Sequence, residues 1–289
     1  MIQTMLLSRT TGTMAVVQSR WAAWFTWCRD AGVDPLRCTS PELCQYLSTL
    51  FEGGKAVGTI KGYLSSISTT IKLSMKRDLF PNERLTRLIQ GFGKLRPRLK
   101  DTTPKWDLTL VLLALRRPPY EPLCNASRRS LTLKTAFLTQ LALAARPGEL
   151  TKLGRVVRAS RLKCSITPMP GATLKSTRPG EVRLMREVTI SSLHEITDGD
   201  PDEMLLCPVR MLRRYGEVTA TLRGDGSALF LPINSAAPRA RPVTANTVSA
   251  WIKAVIKDAH ETLGEADLKL AGRSAHEVRA LAASWAEFN

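Results

Sequence analysis

The sequence predicts a mainly α-helical protein with a small inserted antiparallel sheet, an α+β chain in two parts. Three observations carry this expectation. Apolar residues recur at helical spacing over most of the 289 residues. Residues 162–190 instead break into short β-branched runs bounded by glycine and proline. A glycine-rich and basic stretch, Gly91 to Lys100, separates a first helical region from the rest.

The elements follow in order. Trp21, Trp24, Phe25 and Cys28 predict the buried face of a first helix, ended by Gly32 and Pro35. Thr39-Ser40-Pro41-Glu42 reads as a helix start, a hydroxyl cap followed by an early proline. That helix buries Leu43, Tyr46, Leu47 and Leu50. A third helix runs from Thr59 through Tyr63, Leu64, Ile67 and Ile71, and a fourth spans 82–92. Leu108 to Arg116 opens the second region. Leu131 to Ala145, apolar nearly all round, is expected as its central buried helix. Cys164–Thr167, Val182–Leu184 and Val188–Ile190 are the expected strands. Helices resume over 203–216 and 247–263, the latter burying Val248, Trp251, Ile252, Val255 and Ile256. The domains expected are thus 1–93, a basic linker 94–104, and 105–289.

Charge speaks to partners. The chain carries 42 basic and 25 acidic side chains, a net +17. The excess is shared: 15 against 7 in residues 1–104, and 27 against 18 in residues 105–289. A basic excess on both parts fits a polyanion, because Lys and Arg neutralising phosphates supply most non-specific nucleic-acid affinity. The six cysteines form no Cys-x-x-Cys, and the three histidines lack zinc spacing, so neither a metal site nor any other cofactor is expected. Reduced core cysteines in an intracellular protein are the reading. No apolar run reaches the roughly 18–20 residues of a membrane helix.

Two short motifs carry the chemistry. In Ala145-Arg146-Pro147-Gly148-Glu149-Leu150, the proline suits the first position of a helical turn, and Glu149 is a partner for Arg146. In His276-Glu277-Val278-Arg279, the imidazole and guanidinium are three residues apart on an expected helix. A guanidinium fork matches two phosphate oxygens. Each motif alone is a modest signal, and a helical scaffold carrying these residues by coincidence is the competing reading.

In order, with a hairpin lysine between them and a basic helical domain in front, the motifs resemble the tyrosine recombinases of the phage-integrase type. Leu206-Cys207-Pro208-Val209-Arg210, Ala228-Leu229-Phe230-Leu231, Pro242-Val243-Thr244 and Ser274 to Ala286 resemble the recombinases of DIRS-like and Ngaro-like retrotransposons. The resemblance implies that 1–93 is a SAM-like core-binding domain and 105–289 a catalytic domain. It implies that Arg146 and Arg279 grip the scissile phosphate of double-stranded DNA and that His276 transfers a proton. Lys175, or the nearby Lys163, would protonate the leaving 5′ oxygen, and Glu149 would orient Arg146. The family works without a metal or cofactor, as a homo-oligomer on DNA; the eukaryotic resemblance implies the nucleus.

One departure stands out. The family's nucleophilic tyrosine follows His-x-x-Arg, whereas Tyr46, Tyr63, Tyr120 and Tyr215 all precede Arg279. The family's further His or Trp before that tyrosine is also missing, and Trp285 is expected in the core instead. The expectation is therefore a catalytic domain incomplete at its C-terminus. The alternative is an inactive DNA-binding remnant of a mobile element. A type IB topoisomerase, with similar chemistry, is disfavoured by the integrase-like first domain.

Overall fold

A computed structural model describes residues 11–79, 81–97, 106–174, 183–195, 197–223, 228–234, 242–262 and 275–288. It is 61% helical with a small antiparallel sheet, and the chain divides into two compact units, Met1–Thr102 and Thr103–Asn289.

Four helices build the first unit: α1 (Thr11–Ala31), α2 (Ser40–Glu52), α3 (Val57–Met75) and α4 (Glu83–Leu95). Local chemistry sets their ends. Gly32, at φ +66°, follows α1 in the left-handed conformation. Its N–H bonds Arg29 O and that of Val33 bonds Cys28 O, so two otherwise orphaned carbonyls are satisfied. At α2 the Thr39 hydroxyl caps Glu42 N–H, while the Glu42 carboxylate accepts from Thr39 N at 2.6 Å. The Asn82 side chain caps α4 by accepting from Leu85 N.

Trp24 and Cys28 of α1 are fully buried with Tyr46, Leu47, Ile60, Ile67 and Ile71. Trp24 stacks on Trp27 at 5.4 Å and meets Tyr46 edge-on at 5.0 Å. Phe25 departs from expectation: it is 52% exposed. Each residue turns about 100° around a helix. The buried stripe runs through 21, 24, 27 and 28, so position 25 falls outside it. The fourth helix extends to Leu95, two residues into the expected linker; 98–105 lie outside the described residues.

The second unit contains α5 (Leu108–Leu115), α6 (Arg128–Leu143), the single turn α7 (Pro147–Leu150), strands β1 (Leu153–Ala159), β2 (Lys163–Pro168), β3 (Thr173–Leu174), β4 (Arg183–Leu184) and β5 (Val188–Ser191), then α8 (Pro201–Met204), α9 (Pro208–Thr219), α10 (Ala245–Thr262) and α11 (Ala275–Phe288). One antiparallel sheet has the order β1-β2-β5; β3 and β4 pair as a separate hairpin. Helices α9, α10 and α11 all pack on α6, the centre of this unit.

Three expectations change here. Helix α6 spans 128–143, not 131–145, and ends where Ala144 turns to φ +45°. It is buried all round from Ser130 to Gln140, but not because it is apolar throughout: Thr132, Lys134, Thr135, Thr139 and Gln140 are among the buried residues. Thr132 and Thr135 tolerate this by donating to carbonyls four residues back. The expected 203–216 helix is two, α8 and α9, because a residue before proline disfavours helical backbone and Cys207 sits at ψ 117° before Pro208. Strand β1 was not expected at all. Its Arg155 and Arg158 mask the alternation, and only Leu153 and Gly154 are buried. Gly154 is required: a Cβ there would lie 2.4 Å from Thr167 O on β2.

Candidate phosphate-gripping site

The site begins where α6 ends. Ala144 caps the helix in the left-handed conformation, rarely adopted by a residue with a Cβ. Its N–H bonds Leu141 O, and Ala145 N–H bonds Gln140 O. The chain leaves this cap directly into Arg146, whose extended backbone (φ −78°, ψ 151°) makes it the cap of α7, with Pro147 at the first position.

Glu149 holds Arg146 twice. One carboxylate oxygen accepts from Arg146 N at 2.7 Å, the other from Arg146 Nη1 at 3.0 Å. The Arg146 side chain is 36% exposed against 16% for Glu149. The carboxylate thus fixes the guanidinium from the protein side while Nε and Nη2 keep donors without a partner among the described residues.

Arg279 arrives from α11, 135 residues away in sequence, and donates through Nε to Ala144 O at 2.9 Å. Ala144 and Arg146 are two residues apart, at most about 7 Å between Cα atoms. The structure therefore brings Arg279 to the turn that carries Arg146. With Nε engaged, the two terminal nitrogens of Arg279 have no partner among the described residues. Helix α11 is held in place by Val278, fully buried, by Trp106 Nε1 donating to Glu277 Oε2 at 2.9 Å, and by Gln140 Nε2 donating to Ala275 O.

His276 lies on α11 directly after Ala275; its side chain is outside the described residues, as is that of Trp285. Lys175 follows β3 directly and is also outside them. Lys163, the other hairpin candidate, is exposed at the start of β2, opposite Ser191 of β5. Lys152, which no sequence motif singles out, donates through Nζ to Thr173 O and ties the start of β3 to the chain just after α7.

Neither tyrosine of this unit is presented as a nucleophile. Tyr215 is fully buried and accepts from Leu231 N at 3.0 Å; Tyr120 is 3% exposed and donates to Asp258. Burial, and for Tyr120 the nearby Asp258 carboxylate as well, raises both phenols above their ordinary value. All six cysteines are free thiols. Burial pushes Cys28 up to about 12 and Cys164 up to about 11, so neither is a thiolate at neutral pH. No cluster of His, Cys, Asp or Glu among the described residues could hold a metal ion, and no helix among them is long and apolar enough to cross a membrane.

Comparison with known protein families and with curated proteins finds no match to this chain.

Proposed function

We propose that this chain grips the phosphodiester backbone of double-stranded DNA with Arg146 and Arg279, as the phosphate-holding part of a tyrosine-recombinase site. The observation that supports this best is the Arg279 Nε–Ala144 O bond, which brings two guanidinium groups to one turn with donors left over. Guanidiniums held in advance by Glu149 and by a backbone carbonyl stabilise charge developing on a phosphorane-like transition state without reorganising. His276 transfers the proton and Lys175, after β3, protonates the leaving 5′ oxygen. In such a site an attacking tyrosine, which neither Tyr120 nor Tyr215 is placed to be, forms a 3′-phosphotyrosyl ester and releases a 5′ hydroxyl. Attack by a 5′ hydroxyl reverses the step, so no external energy source is needed.

The burial of Tyr120 and Tyr215 favours a second reading for residues 1–289 taken alone: they bind DNA without cleaving it. The +17 charge supports binding in either case.

The test is fluorescence anisotropy on a labelled duplex across a salt series, with a nicked suicide duplex in parallel. We expect log affinity to fall linearly with log salt, at about 0.9 per phosphate neutralised. Arg146→Ala with Arg279→Ala should lower that slope by up to about two phosphates' worth. Affinity independent of salt refutes DNA binding. A covalent protein–DNA adduct formed by residues 1–289 refutes the binding-only reading.

A further inference from the structure

Helix α9 has a second face that the phosphate site does not use. Its buried side carries Val209, Met211, Leu212 and Tyr215. Positions 210, 213, 214 and 217, spaced i, i+3, i+4 and i+7, form the other face as Arg, Arg, Arg and Glu. Together with Arg161 of the β1–β2 turn they line a cavity of about 470 Å³. The floor is apolar, from Leu123, Met204 and Val209.

The arginines differ in how they are engaged. Arg210 is committed to Glu121 through two hydrogen bonds, at 2.6 and 3.0 Å. Arg161 donates to His194 Nε2 at 2.9 Å. Arg214 makes only an exposed 3.3 Å contact with Glu217. Arg213 is exposed and has no partner among the described residues. Four guanidinium groups thus share the lining with the apolar floor, and Glu217 is the only acid among the described residues that line it.

This cavity shares no residue with the Arg146–Arg279 turn. Arg210 reaches α6 through Glu121, which pairs with Lys134. Lys134 lies ten residues before Ala144, about 15 Å along a helix.

We propose that this cavity docks an acidic peptide segment of a protein partner, with one apolar side chain on the floor and flanking carboxylates on Arg213, Arg214 and Arg161. Carboxylates accept from guanidinium forks in two-point contact. The apolar floor decides between a peptide and a nucleic acid. A duplex presents phosphates on a convex surface and would leave the half-buried Leu123 and Met204 wet. A leucine-sized side chain buries them. The inference is independent of the phosphate site.

The probe is a fluorescein-labelled peptide of aspartate and glutamate around one central leucine, titrated into the full chain by anisotropy. Arg213→Gln with Arg214→Gln should weaken it roughly tenfold or more, since two charge-assisted contacts are lost. Replacing the peptide's leucine by serine should also weaken binding several-fold. Duplex DNA affinity of the same variant should change by less than about threefold, and its melting curve should match the parent's. Three results overturn the proposal: no binding of the peptide, peptide affinity indifferent to either change, or DNA weakened as much as the peptide. The last would assign the stripe to phosphates.

Discussion

Glu121→Gln should be among the most damaging single substitutions in this protein. Lys134 is fully buried on the central helix α6, where its ammonium donates to Leu115 O at 2.7 Å and to Glu121 Oε1 at 2.6 Å. Glu121 is 7% exposed and also binds Arg210. Burial alone would raise the Glu121 carboxyl, but hydrogen bonds from Arg210 and Lys134 outweigh it and lower the net value. Burial pulls Lys134 from 10.5 down to about 8, against the upward pull of Glu121. Removing the carboxylate charge leaves a buried ammonium uncompensated, which costs about 3–5 kcal/mol. Arg210, a third exposed, is screened by water and adds little. The unit spans Thr103–Asn289, and in a domain of that size each kcal/mol moves Tm by about 2–4 °C, so the loss is roughly 6–20 °C.

The sign with pH is set by the shifts. The unfolded chain holds the Lys134 proton up to about 10.5 and the folded one only to about 8, so this group's contribution to stability grows as pH rises between them and is lost as pH falls. In Glu121→Gln the lysine falls lower still, so the variant should regain stability from pH 6 to 9 more steeply than the parent. Glu121, lowered when folded, stabilises above its ordinary 4.5 and loses that contribution in acid. Calorimetry or circular dichroism of the full chain, carried from acid below 4.5 up to pH 9, reads both effects. A loss below about 1 kcal/mol with no added pH dependence would refute the reasoning.

Other substitutions test other links. Phe25→Ser should change stability by less than about 0.5 kcal/mol, whereas Trp24→Ala, its fully buried neighbour, should cost about 3–5 kcal/mol in urea unfolding. Gly154→Val should destabilise the second unit by several kcal/mol, since even a Cβ collides with Thr167 O; a parent-like melt would disprove that register. Ala144→Gly should stabilise by about 1 kcal/mol, because glycine adopts φ +45° without the Cβ penalty, and DNA affinity should hold. Glu149→Gln should weaken duplex binding if the carboxylate orients Arg146, and strengthen it if the acid merely repels phosphate; the same salt series separates the two.

Local rules made much of the fold legible. Caps at Thr39 and Gly32 and the proline of α7 depend on residues within a few positions, so they can be read from the chain. So can the Arg146–Glu149 pair, at i and i+3. Where local and long-range demands diverge, the reading fails. Phe25 looked apolar enough for the core but sits off the stripe. Strand β1 hid behind its arginines because its pairing partner, not its own alternation, defines it. Lys134 sits inside a helix expected to be apolar, since only the approach of Glu121 makes a buried ammonium tolerable.

What the sequence by itself determined is the mainly helical class, the inserted sheet, the net basic charge and the residue types of the proposed phosphate grip. These follow from periodicity, charge and chemistry carried by the residues themselves. Tertiary structure alone decided that Arg279 meets the turn of Arg146, that Lys152 ties down the start of the hairpin, and that α9 turns its arginines toward an apolar cavity. Such contacts join residues far apart in the chain, and they form only when burial of a shared core fixes which ends of which helices come together.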